Sequence, residues 1–278
     1  MSRKNQSDRL TAQQKASEGV LGIFGEDAKI HDSKVGKIAK LTLESLRQKY
    51  PNLTFRIRAF ITKKEINDSL NKLDSELGTT LILPNANIRP DGGIIEVKDD
   101  SNNWRIVLVT EAKRQGKDIE NISKGIKVGT KKDQDLMAAG NAIERSHKNI
   151  SEFANYMLSE LHFPYIIFLE WSNFLIQDVI VERPDGTKYT VTYNSGILNR
   201  LDRLTASNYG MEFNKNLSEN KFIAIENRNI MLQAASMYIT SDGSNWTTEQ
   251  MLKIMLDVSE TSLRMLSKDL FTQLAKKD

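Results

Sequence analysis

Apolar positions change their period along the chain, and that change predicts its elements. Val35, Ile38, Leu41 and Leu46 recur at helical spacing, and Thr62-Lys63-Lys64-Glu65 has the form of a capping box ahead of Ile66, Leu70 and Leu73. The first third therefore reads as mainly helical, with Thr79 to Leu83 beginning a sheet. Two apolar runs, Gly92 to Lys98 and Trp104 to Thr110, flank a polar Asp-Asp-Ser-Asn-Asn turn and predict an antiparallel hairpin. A long helical segment runs from about Met137 to Leu161. Phe163 to Glu170 is apolar without alternation, as expected of a strand covered on both faces. There follow a second hairpin (Val179 to Glu182 and Lys188 to Tyr193), a short helix near Ile197 to Thr205, an apolar run at Ile230 to Ala235, and two C-terminal helices. Strands alternating with helices predict an α/β fold, a mixed central sheet flanked by helices on both faces.

Composition narrows the class. A chain of 278 residues buries about three quarters of its unfolded surface, and with no Gly, Ser or Pro-rich linker and no repeat, residues 1–278 read as one domain. Apolar stretches such as Tyr165 to Leu169 fall far short of the roughly 20 residues of a membrane span. The N-terminus is polar and basic, without a signal-peptide core, so the expected location is the cytoplasm. There is no cysteine, which excludes disulfides, thiol nucleophiles and thiolate zinc sites, and three histidines are too few for an imidazole-rich centre. A catalytic metal would have to be held by oxygen, which selects magnesium or manganese.

A net charge of +3 permits a nucleic-acid partner without arguing for one. Its distribution says more. Arg3, Lys4, Arg9 and Lys15 make residues 1–16 a flexible basic arm or a solvated tail, and residues 176–195 read as a hairpin arm. Lys113, Arg114, Lys117, Lys124, Lys127, Lys131 and Lys132 crowd one loop, a setting suited to a polyanion.

The candidate chemistry lies in the first hairpin. Pro90-Asp91-Gly92-Gly93 precedes one strand and Glu111-Ala112-Lys113 ends the other. If the pairing is centred on the turn, Asp91 faces Glu111 with Cβ atoms about 4.5–5.5 Å apart, and Lys113 points the same way. Two carboxylates and a lysine at a hairpin mouth suit metal-dependent phosphodiester hydrolysis. Pro-Asp-Gly alone is a turn signal. The second copy, Pro184-Asp185-Gly186, has Thr205-Ala206-Ser207 at the matching distance and reads as a simple turn. Glu-x-Lys also recurs at Glu96 and Glu219, and Glu96 falls on the opposite strand face from Asp91.

A second constellation opens the long helix. Met137, Ala138, Ala139 and Gly140 are small or featureless enough to press against a flat partner, and Asn141, Glu144 and Arg145 follow. Asn and Arg pair bidentately with adenine and guanine in the major groove; the plain alternative is a solvated surface helix. Asn199, Arg200 and Arg203 flank the apolar stripe Ile197, Leu201 and Leu204, which reads as core. His147 lacks partner histidines and reads as an ordinary helical residue.

These residues resemble the type II restriction endonucleases of the PD-(D/E)xK nuclease superfamily almost from end to end. The likeness is carried by Pro90 to Gly93 with Glu111 to Lys113, by the tract Asp133 to Glu152, and by Tyr193 to Ala206. It implies a restriction-endonuclease-like fold with arms around double-stranded DNA, and a homodimer that cuts the palindrome GAATTC after the G with magnesium. Asp91, Glu111 and the Ala112 carbonyl would hold the ion and Lys113 would orient the water. Met137 to Asn141, Glu144 and Arg145 would read bases, helped by Arg200 and Arg203, with Gln115 and Lys117 close to the DNA. A cognate methyltransferase is implied genetically, not as a bound subunit. Trp171 departs from the family, which carries glycine there, and Met211 to Asn229 and the C-terminus match less well.

A structure-directed nuclease and an inactive DNA-binding relative remain the other classes. One magnitude bears on mechanism: a wrong base pair costs about 1–3 kcal/mol in binding, too little to protect a genome. Recognition is therefore expected to be coupled to assembly of the metal site, about 22 residues separating Lys113 from the reading segment at Asp135.

Overall fold

The computed structural model describes residues 26–78, 83–126, 140–160, 162–202, 218–219, 221–225, 228–232, 235–240 and 242–266. The expected arm at 1–16, the basic residues 127–132, Met137 to Ala139, Arg203 and most of the strand expected at Thr79 to Leu83 lie outside them.

Helix α1 (Glu26–Lys49) opens the described chain. It buries Val35, Ile38, Ala39, Leu43 and Leu46, a stripe at helical spacing, while Leu41 faces solvent at 49%. The first third is less helical than its periodicity suggests, because β1 (Phe55–Arg58) and β2 (Ile61–Thr62) follow. At four and two residues they are too short to show a period. In α2 (Lys63–Leu73) the capping box is formed, the Thr62 side chain accepting from the Glu65 N–H and the Glu65 side chain accepting from the Thr62 N–H. Ile66 is buried and Leu73 exposed.

The short strand β3 (Asn87–Ile88) pairs with β2. Then come β4 (Gly93–Lys98), β5 (Trp104–Arg114), α3 (Asp118–Ser123), α4 (Gly140–Tyr156), β6 (His162–Phe163) and β7 (Tyr165–Glu170). The hairpin β8 (Val179–Glu182) and β9 (Lys188–Val191), α5 (Ser195–Asp202), β10 (Ser218–Glu219), β11 (Lys221–Ile225), β12 (Arg228–Leu232), β13 (Ser236–Ile239) and α6 (Thr248–Leu266) complete the order. One C-terminal helix is present among the described residues where two were expected. The lysine-rich loop contains the short helix α3. No helix among the described residues is long and apolar enough to cross a membrane.

The main sheet has the order β1-β4-β5-β7-β13. β1, β4 and β5 run antiparallel, whereas β7 is parallel to both β5 and β13, so the sheet is mixed. Ile66 of α2, Ile143, Ile150 and Phe153 of α4, and Ile197 and Leu201 of α5 cover one face. α1 and α6 cover the other, the latter through Met251, Met255, Val258 and Leu263. β7 lies between both layers: Tyr165, Ile167 and Leu169 join the first core, Ile166 and Phe168 the second. The absence of alternation in its sequence follows.

The β4–β5 pairing corrects the expected register. Lys98 to Glu96 pair with Trp104 to Ile106 as a turn-centred hairpin requires, but Ile95 then pairs with Leu108, leaving Val107 without an opposite residue. This is a β-bulge. Val107 and Leu108 both enter the α1–α6 core, while Ile106 and Val109 enter the other. Carried on to the hairpin mouth, the shifted register sets Asp91 beside Ala112 and not opposite Glu111.

The hairpin around Pro184-Asp185-Gly186 is a simple turn. The Thr187 N–H donates to Asp185 Oδ1 at 2.9 Å, and the hairpin packs Val181 and Val191 on Ile122 of α3.

Candidate active site

The C-terminal ends of parallel strands are where α/β sheets expose polar groups to ligands. At the end of β5, Asp91, Glu111 and Lys113 meet. Gly92 brings the chain there: a Cβ on it would lie 2.8 Å from Thr110 Cβ and from Val35 Cγ1, and Gly93 adopts φ +82. No larger residue fits such an approach. The Ala112 N–H donates to Asp91 Oδ2 at 3.2 Å, as the bulged register requires.

Lys113 Nζ is the hub. It donates to Glu111 Oε1 at 2.6 Å, to the Ala112 carbonyl at 2.8 Å and to Asp91 Oδ2 at 2.9 Å. Burial alone would pull the ammonium down, but Glu111 and Asp91 outweigh it and hold it above its usual range, so it stays charged. Burial pushes the Glu111 carboxyl above its usual range; Lys113 opposes this and Asp91 adds to it.

Three residues of the site carry no local signal in the sequence. Tyr165, fully buried on β7, donates its hydroxyl to Glu111 Oε2 at 2.9 Å. Asn149 of α4 donates its amide to both Glu111 oxygens at 3.3 Å. Asp32 of α1 faces the cluster. Partial desolvation and repulsion from Asp91 and Glu111 push its carboxyl up to about 7, against the pull of Lys113. Only the strand and helix packing brings these three to the hairpin, so no spacing could have found them. Glu96 is withdrawn from the site, buried and paired with Arg56 at 2.6 Å and Arg58 at 3.6 Å.

The arrangement suits a hard divalent cation. Two carboxylates and one backbone carbonyl converge on a point now taken by an ammonium, all oxygen donors. Among the described residues no three acidic or imidazole side chains are placed to hold a metal ion together, so the Ala112 carbonyl would complete the set.

The remaining candidates are spread around this centre. Gly140, Asn141 and Glu144 lie in the first turns of α4, Arg145 is exposed on that helix and Arg200 on α5. His147 is exposed too. Gln115 is not at the surface: it is buried at 2%, and its backbone accepts from the Asn173 N–H at 3.1 Å and donates to the Glu170 carbonyl at 3.4 Å. Lys117 precedes α3, its Nζ 5.2 Å from the Trp171 ring centroid.

Behind β5, His31 Nδ1 lies 3.1 Å from Glu170 Oε1, which also meets Arg114 at 3.3 Å. Burial, Arg114 and Lys34 push the His31 imidazole down to about 4. It is therefore neutral at pH 7.

A mixed sheet that gathers two acids and a lysine beside its central strand fits metal-dependent phosphodiester hydrolysis, the chemistry of a nuclease. The chain belongs to the EcoRI restriction endonuclease family, whose sequence model, Restriction endonuclease EcoRI, matches residues 17–273. It is 60% identical over 277 residues to the type II restriction enzyme EcoRI of Escherichia coli, covering 100% of both chains. It is 47% identical over 267 residues to the type II restriction enzyme RsrI of Cereibacter sphaeroides, covering 96% of each. The protein is thus a type II restriction endonuclease, a hydrolase of double-stranded DNA that depends on a divalent metal ion.

Proposed function

We propose that the protein cuts both strands of GAATTC after the G, as a magnesium-dependent homodimer, leaving 5′-phosphate and 3′-hydroxyl ends. The observation that carries the chemistry is the convergence of Asp91, Glu111 and the Ala112 carbonyl on Lys113 Nζ within 2.6–2.9 Å. The choice of sequence rests on the family and on the tract Met137 to Arg145.

Asp91, Glu111 and the Ala112 carbonyl would hold magnesium, or manganese in its place, which supplies charge neutralisation at the scissile phosphate and a lowered pKa for water. Lys113, kept charged by its two carboxylates, orients the attacking water and faces the negative charge that develops on the phosphate oxygens. Asn141, Glu144 and Arg145 at the start of α4 are assigned the reading of base edges, helped by Arg200 and Arg203. The tract Met137 to Gly140 is assigned a share in base recognition on the resemblance alone, and Lys117 the phosphates. The protein works in the bacterial cytoplasm, where a cognate methyltransferase protects the host's own sites.

Digesting one DNA of known sequence with magnesium and mapping the ends tests this reading. Cleavage at every GAATTC is expected. Cutting only at branched DNA would make the chain a structure-directed nuclease, and binding without cleavage an inactive relative.

A further inference from the structure

Glu111 is held from two sides that differ in freedom. From the sheet, the Tyr165 hydroxyl reaches Oε2 at 2.9 Å, and Tyr165 itself is fixed by an edge contact with Phe153 (5.5 Å between centroids) and a stack on Phe163 (5.9 Å). From α4, the single Asn149 amide is shared between Oε1 and Oε2, 3.3 Å from each. Such a bond lies beyond the usual 2.7–3.2 Å of an N–H···O contact and favours neither oxygen. Oε1 already takes Lys113 and Oε2 already takes Tyr165. A small displacement of α4 therefore decides which oxygen Asn149 holds and which way the carboxylate turns.

Asn149 follows Arg145 by four residues on α4, so the two neighbour each other along one face, and Arg145 is exposed. Between them Ser146 is buried; Ile143 and Ile150 seat the flank of α4 in the core, and Phe153, four residues beyond Asn149, continues that face into it. The helix backbone fixes the two residues relative to each other, so a shift of α4 that seats Arg145 would also carry the Asn149 amide.

We propose that Asn149 is a positioning residue for specificity: it transmits the fit of α4 on its DNA sequence to the Glu111 carboxylate, so that the metal ligand is correctly turned only on the right site. Tyr165 is the fixed half of the same clamp and serves cleavage without regard to sequence. The inference rests on the proposed site, in which Glu111 is a metal ligand and α4 reads bases.

The two halves of the clamp predict different losses. On GAATTC and on a site with one wrong base pair, single-turnover cleavage is measured at saturating protein, so that binding drops out. Binding alone separates such sites by roughly 10- to 100-fold. In the wild-type protein the cleavage step is expected to add discrimination of at least about tenfold. Asn149→Ala should slow cleavage of GAATTC and remove that added discrimination, while Tyr165→Phe should slow both sites equally and keep it. Melting curves check folding, and Asn149→Ser replaces the alanine variant if that one unfolds. Full discrimination in the cleavage step of the folded Asn149 variant would overturn this inference alone. A wild-type protein that cuts no GAATTC with magnesium would instead overturn the proposed function on which it rests.

Discussion

The guanidinium of Arg114 lies 3.5 Å from the ring centroid of Trp171, and the indole N–H donates to Asn245 Oδ1 at 2.9 Å. Between those two contacts the Trp171 backbone sits at φ 81, ψ 173, a region open in practice to glycine alone. Glycine would hold this backbone without strain, and the two ring contacts hold a tryptophan there instead. Replacing Trp171 by alanine removes the ring contacts and keeps the strain, whereas glycine removes both. Trp171→Gly is therefore expected to be more stable than Trp171→Ala by about 1 kcal/mol, measured by urea unfolding. Equal stabilities would mean that the backbone carries no strain.

His31 predicts an acid limit. Its folded pKa of about 4 lies below the ordinary 6.5, so the unfolded chain takes up the proton first. Stability is fully present above pH 6.5 and is lost as the pH falls toward 4, by on the order of 3 kcal/mol at full protonation. Denaturation midpoints at pH 7 and 4.5 should fall steeply in the wild type and less in His31→Gln. Parallel decline in both would assign the acid sensitivity elsewhere.

Asp32 works in the opposite sense. Its folded pKa, about 7, is above the ordinary 3.8, so without a divalent ion the folded state loses stability as the pH rises from about 4 to 7. Asp32→Asn removes that loss. In chelator, the variant should be more stable than the wild type at pH 8 and no more stable at pH 4. A gain at pH 4 as large as that at pH 8 would show that the substitution acts by packing and not by charge.

Long or strongly patterned elements were legible in the chain: the Gly92 to Thr110 hairpin, the apolar β7, the capping box at Thr62, and Asp91 with Glu111 and Lys113 as one cluster. The relation between the two acids was not. A bulge at Val107 changes no hydrophobic pattern that can be read locally, because Val107 and Leu108 are both apolar and either could have faced either core. β1 and β2 escaped because four- and two-residue strands have no measurable period. Asn149, Tyr165 and Asp32 escaped for a different reason: each reaches Glu111 or its neighbours from a separate element, and long-range packing leaves no trace in spacing. Gln115, expected close to the DNA from the resemblance, is buried, and its backbone is tied down between Glu170 and Asn173.

In the proposed mechanism Glu111, set by Lys113, Tyr165 and Asn149, makes the metal-dependent cut. The most direct test is to compare the wild-type protein with Glu111→Gln on one GAATTC duplex, measuring binding and single-turnover cleavage in the same samples with magnesium. Binding within a few-fold of wild type and cleavage slowed by at least about a hundredfold is the predicted result. Full cleavage by Glu111→Gln would remove Glu111 from the chemistry and contradict the account.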